Sequence, residues 1–417
     1  MHGNADAVEG ELTAIEEWRR GWHIVLAAAI GYGTGGGIIM MLAGLFIKPM
    51  RDDLGWSTAA VTFAPVFLAA WALCYPIAGS IIDKYGSRRM AIVGVIGLAA
   101  CAFLMGTLPI SRVSLYSSAA AMGVFASISA VPTYTRGVAS WFKRGVGLAF
   151  GIALSGTVLI ALFATPLTGF AIAEHGWRAG FLAMSGIMLL IGLPVILLLY
   201  REKEAATTAP SDFAIQTGAT AGEALRDVRF WCYVLSFTLA CVALGGTLAH
   251  LQPMLAEKGF DLATAISLGV LYAIAMSIGK VMGGLLLDRF WPFSIAAALT
   301  LIAAVGSVGL VMTSADTAYL VAAVVVMSIG LAQGAEADFT AFFILRSFGM
   351  RAFSTVVGVL AMIVTFGLTI GSWLYGILFD MNGNYDIAVY LGAACLLGAS
   401  VFILLAGMLE KNSPSTF

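Results

Sequence analysis

The stretch Gly79-Ser80-Ile81-Ile82-Asp83-Lys84-Tyr85-Gly86-Ser87-Arg88-Arg89 is a charged link between two apolar runs. A shorter version, Gly284-Leu285-Leu286-Leu287-Asp288-Arg289, recurs 205 positions later in the 417-residue chain. Two copies half a chain apart imply two similar halves. Working outward from them, the flanks are long apolar segments broken only by short polar links. A helix crossing about 30 Å of hydrocarbon needs roughly 20 apolar residues, and twelve such segments fit. Paired membrane-spanning halves point to movement of a solute across the bilayer.

Composition agrees. Hydrophobic residues make up 60% of the chain and charged residues 11%, against about a quarter charged in soluble domains. This surface has to face lipid. The net charge of −1 gives no sign of a nucleic-acid partner. Cys74, Cys101, Cys232, Cys241 and Cys395 fall inside apolar runs at no metal-like spacing, and read as small core residues. No metal and no cofactor is expected. The polar opening with Glu9, Glu11, Glu16 and Glu17 leads to no cleavage-like site, so the first helix is expected to act as its own insertion signal.

The spans are predicted near 21–47, 57–82, 90–109, 113–140, 145–172, 177–200, 228–256, 262–287, 293–313, 317–345, 352–378 and 386–409. This is an all-α polytopic membrane protein, with twelve transmembrane helices in two pseudo-symmetric six-helix bundles. The expected units are an N-terminal segment 1–20, a bundle 21–200, a linker 201–227, a second bundle 228–409 and a tail 410–417. The linker is rich in Ala, Thr and Gly, with a short interfacial helix expected over 222–228. Of 22 Lys and Arg, 15 fall in loops on one side and five on the other, with Arg136 and Lys280 inside spans. That asymmetry places both termini and the linker in the cytoplasm, here of a bacterial inner membrane. A monomer is expected.

Glycines cluster within spans, as at Gly31, Gly33, Gly35, Gly36 and Gly37, and at Gly147, Gly151 and Gly156. Small residues let membrane helices approach closely. The Gly-rich first span is also a candidate bending element.

The Gly79–Arg89 loop and its copy resemble the major facilitator superfamily's loops between helices 2 and 3 and between helices 8 and 9. The twelve-span layout extends that likeness over the whole chain. Further segments resemble the monocarboxylate and oxalate/formate porter group: Trp141-Phe142-x-Arg144-Gly145-x-Gly147-Leu148-Ala149-x-Gly151, Gly176-Trp177-Arg178 and Phe230-Trp231. The resemblance implies a conformational latch of Gly79, Asp83, Gly86, Arg88, Arg89, Gly284, Asp288 and Arg289. Physically, Asp83 is expected to face a helix N-terminus in its own half while Arg88 and Arg89 tie helix ends together.

Ionisable groups in hydrocarbon cost about 2.5–3.5 kcal/mol each on insertion scales, so those present line cavities or pair. Lys280 lies eight residues before Asp288, about 12 Å along the helix and near the midplane. In the monocarboxylate group that position holds an arginine that grips the substrate carboxylate. Lysine offers an anion a point charge instead of a fork. Glu336 and Asp338 sit near mid-depth in the tenth span, about 200° apart around the helix, so one faces the pathway and the other a neighbouring helix. Either is a candidate proton carrier, with His250 a third. Arg136 and Tyr134 in the fourth span, and Tyr32 in the first, are candidate substrate contacts; Arg136 alternatively snorkels to the interface.

The expected function is therefore secondary transport of a small organic anion, a monocarboxylate, by proton-coupled symport. An anion exchanger of the oxalate/formate type would, by that resemblance, carry a basic residue in helix 11, whereas 352–378 has none. A drug–proton antiporter would show a Gly-Pro element in helix 5, and Pro166 is too distant. A nutrient sensor would carry a long signalling tail. No G-x-x-x-x-G-K-[ST] motif suggests ATP-driven pumping, and no catalytic constellation suggests an enzyme.

Overall fold

The computed structural model describes residues 13–203 and 218–412; the side chains of Ala59, Ala337, Asp338 and Asn412 lie outside the described set. Among the described residues, twelve helices are long and apolar enough to cross a membrane. They are α1 Ala14–Leu54, α2 Ala64–Tyr85, α3 Ser87–Thr107, α4 Arg112–Ala139, α5 Val146–His175, α6 Trp177–Leu199, α7 Val228–Glu257, α8 Leu262–Arg289, α9 Pro292–Met312, α10 Tyr319–Phe348, α11 Phe353–Asn382 and α12 Asp386–Lys411. Each overlaps a predicted span, with most ends within four residues of the expected ones; α1 runs seven residues past its span at each end, and α2 starts at Ala64, seven residues after the expected start. The short helix expected in the linker is Ala221–Arg226. The remainder of that linker, 204–217, lies outside the described residues.

Caps fix where the helices start. Thr13 and Glu16 form a reciprocal capping box at α1, and Asp227 and Asp261 accept backbone N–H bonds at the starts of α7 and α8. The turn between α2 and α3 is one residue, Gly86, at φ 85°. A side chain is strained there, which is the local reason for a glycine in the 79–89 loop.

The halves meet along two helix pairs, α2 with α11 and α5 with α8. Contact is backbone to backbone. A Cβ on Gly79 would strike the Ser354 carbonyl, one on Gly358 the Tyr75 carbonyl, and one on Gly147 or Gly284 the other's carbonyl. These contacts sit at the molecular end that carries Asp83 and Asp288, termed here the latch end.

Four helices of the first half are interrupted, and those of the second half are not. α1 breaks at Thr34–Gly35, α4 at Ser129–Ala130 and α5 at Ser155, while α6 widens to a π-helical turn over Met188–Gly192. The interruptions gather at one level. A Cβ on Gly35 would meet Ser129, on Gly33 Gly156, and on Gly192 Thr34. Irregular backbone at membrane depth is tolerated where protein buries it, and here each break is packed against another.

Candidate functional site

At the latch end Asp83 caps α11. Its carboxylate accepts from the N–H groups of Ser354 (3.0 Å) and Thr355 (2.8 Å) and from the Thr355 hydroxyl (2.6 Å). The expectation placed Asp83 against a helix in its own half; α11 belongs to the other half. The correction follows from the glycines, which bring α11 against α2 before any helix of the first half can offer its N-terminus.

Asp288 repeats the arrangement. It accepts from the N–H groups of Gly147 and Leu148, both at 2.8 Å, at the start of α5 in the opposite half. Each aspartate thus holds the positive end of a helix dipole across the seam. Glu17 adds a carboxylate beside α5, accepting from Lys143, Arg144 and Gly145 N–H at 3.0–3.2 Å.

Arg136 belongs to this layer. It is 2% exposed, and its guanidinium donates to Asp83 at 2.6 Å, to Glu202 at 2.9 Å and to the Met350 carbonyl at 3.3 Å. The structure therefore places it at the seam of the latch end, bonded to groups from both halves. Its partner, two residues past the reach of the sixth span, explains the position. Glu202 also accepts from Ser87 N–H and hydroxyl (2.8 and 2.9 Å), capping α3. Arg88 donates to the Leu197 carbonyl at 2.8 Å, within the first half, and Arg89 and Arg289 are exposed. Neither Arg88 nor Arg89 is among the groups that bridge the halves in the described contacts.

At mid-depth, Lys280 is buried on the face of α8 turned to α5. Its ammonium donates to the Leu154 carbonyl at 3.4 Å, across the seam, and no carboxylate among the described residues pairs with it. A Cβ on Gly151 would strike the Lys280 carbonyl. Tyr134 is fully buried, its hydroxyl 2.8 Å from Ser129 Oγ. Tyr32 is half-buried and meets Tyr134 edge-on at 6.2 Å.

Glu336 does not join Lys280. It faces α7, where the Cys241 thiol donates to it at 2.8 Å. Around it lies a small void lined by Ser236, Ala240, Leu244, Leu299, Thr300 and Ile403, inside the second bundle. Glu336 is thus set against a neighbouring helix. The Asp338 side chain lies outside the described residues.

His250 is held within the second bundle. Its Nε2 donates to the Ser372 carbonyl at 2.9 Å, and Nδ1 lies 3.1 Å from the Tyr385 hydroxyl. Nearby, Lys258 donates to Asp386 at 2.6 Å. These bonds fasten α7, α11 and α12 at the end opposite the latch.

Beyond the Tyr75–Gly358 contact, α2 and α11 part. An apolar crevice of about 370 Å³ opens between Met40, Thr62, Pro65, Leu68 and Ala72 on one side and Thr365, Phe366 and Thr369 on the other. The halves are closed at the latch end and separated on this flank at the other.

Glu202, Glu17, Ser354, Thr355 and Cys241 were missed in the sequence. Glu202 carried the one usable signal, an acid between Arg201 and Lys203 directly after a span.

The Major Facilitator Superfamily profile matches residues 25–372. Among curated proteins, Monocarboxylate transporter 13 of Bos taurus is 25% identical over 402 residues, covering 95% of this chain and 92% of that protein. The Hexuronate transporter of Escherichia coli (strain K12) is 24% identical, covering 84% and 86%. Among solved structures, the Major Facilitator Superfamily transporter FucP in the outward conformation aligns with TM-score 0.71 at 14% identity, covering 94% of this chain and 99% of that one.

Proposed function

This chain belongs to the Major Facilitator Superfamily, a family of transporters and not of enzymes, and on that premise we propose that it carries a small monocarboxylate by proton-coupled symport. The single observation that carries the reading is Lys280. A buried ammonium at the seam of the two halves, satisfied only by one long bond to a carbonyl among the described residues, is a ready partner for an anion. The half-buried Tyr32 supplies a second contact from the first half. Arg136 acts with the latch, and Tyr134 shapes the wall behind Tyr32.

The excess of Lys and Arg in its loops supports a cytoplasmic latch end. The halves 21–200 and 228–409 rock about the seam, in the inner membrane of a bacterium. Asp338 or Glu336 takes up the proton. Glu336 would do so as a switch inside the second bundle, where it is buried and bonded to the Cys241 thiol. His250 is engaged in holding α7 to α11 and serves the proton route only by leaving the Ser372 carbonyl.

Uptake of a carboxylate panel into proteoliposomes, with imposed proton gradients and with or without a membrane potential, tests this. Accumulation driven by an inward proton gradient is expected, and is lost in Lys280→Ala. Full gradient-driven uptake in both Asp338→Asn and Glu336→Gln would end the proton assignment.

A further inference from the structure

The break in α5 gives Lys280 a second significance. It cuts off a nine-residue segment, Val146–Leu154, whose two ends both rest on α8. At its start, the Gly147 and Leu148 N–H groups donate to Asp288 at 2.8 Å each. At its end, the Leu154 carbonyl accepts from Lys280 at 3.4 Å. The spacings agree: Lys280 to Asp288 is eight residues, about 12 Å, and Gly147 to Leu154 is seven, about 10 Å. The signs agree too, since a helix is partially positive at its N-terminus and negative at its C-terminus. Between the ends the strip is bare, with Gly147 on the Gly284 backbone and Gly151 on that of Lys280.

We propose that α8 clamps the half-helix Val146–Leu154 at both ends, and that an anion drawn to Lys280 removes the ammonium from Leu154 and so loosens the cytoplasmic seam. This rests on the reading of Lys280 as the anion's partner. Cargo would then be coupled to opening by competition for one ammonium. Without cargo both ends stay pinned; with cargo only the Asp288 end remains. Asp83 and α11 form the matching contact on the other flank, without a mid-depth cation in the described residues.

Hydrogen–deuterium exchange of the 146–154 amides in nanodiscs tests the clamp, since Gly147 and Leu148 are themselves the donors. Lys280→Gln is expected to speed exchange there about two- to fivefold, the factor set by one charge at a helix end, while α9 amides stay unchanged. Lys280→Arg is expected to keep wild-type protection. Millimolar benzoate or pyruvate, whichever the proteoliposomes accumulate, should speed exchange in the wild type and add nothing in Lys280→Gln. Should Lys280→Gln not fold, Lys280→Met serves as the charge-removing variant. Unchanged exchange in a folded charge-removing variant overturns the clamp, and if that variant has also lost uptake the anion site stands without it. Faster exchange with wild-type uptake supports the clamp and removes the anion assignment instead.

Discussion

Arg136 is held between two carboxylates in a setting with almost no water, so the cost of removing it lies in what it leaves behind. Asp83 would keep its bonds to α11 but lose its counter-charge, and Glu202 would keep only Ser87. Breaking such a buried pair typically costs about 3–5 kcal/mol. Arg136→Met is expected to lower the melting temperature and expose the latch end to water-soluble probes, measured by thermal shift and by labelling of an introduced cysteine near Met350. Unchanged melting and labelling would remove Arg136 from the latch. At Gly86, where φ is 85° and ψ 151°, alanine is expected to cost about 1–3 kcal/mol, read as a lower melting temperature with no change in what is transported. At this scale the sequence was informative about residue type and less so about partner. Lys280 stood out because a lysine in an apolar run is rare. Arg136 stood out equally, but its partner Glu202 is 66 positions away and looked like linker. Asp338 and Glu336 were inseparable by type, and the register of α10 set Glu336 against Cys241.

Helix against helix, closure of the two halves rests on glycine. Gly79, Gly358, Gly147 and Gly284 let α2 meet α11 and α5 meet α8 at backbone distance, which places the aspartates over the helix starts they cap. Gly284→Leu is expected to insert normally, seen as an unshifted size-exclusion peak, yet to lose transport because α5 and α8 no longer close. Wild-type uptake in that variant would show the contact to be dispensable. The twelve helices were readable from length and hydropathy, since crossing hydrocarbon demands both. Not all of their interruptions were. Ser155 sits in a run of apolar and small residues with no proline within ten positions before it. The break in α5 is set by its packing on α1, where Gly156 meets the Ala29 backbone. The first span signalled its bend through Gly33, Gly35, Gly36 and Gly37, and Pro132 and Pro194 stand just after the irregular turns of α4 and α6.

Across the molecule, the two aspartates are related as the two sequence copies are, and each reaches into the half it does not belong to. Closure at the latch end and the crevice between α2 and α11 at the other are consistent with one arm of an alternating cycle. Asp83→Asn with Asp288→Asn keeps hydrogen-bond acceptors while removing both charges from helix starts. The pair is expected to shift the population toward opening at the latch end, seen as faster alkylation of a cysteine placed at Ser354. Slower or equal alkylation would argue that charge at these caps does not hold the closed state.

Counterflow with no ion gradient isolates cargo recognition from its driving force. Proteoliposomes loaded with an unlabelled carboxylate should draw in the labelled one through the wild type, partly through Lys280→Arg, and not through Lys280→Gln at matched reconstitution. Wild-type counterflow in Lys280→Gln would contradict the assignment of the buried ammonium to the cargo.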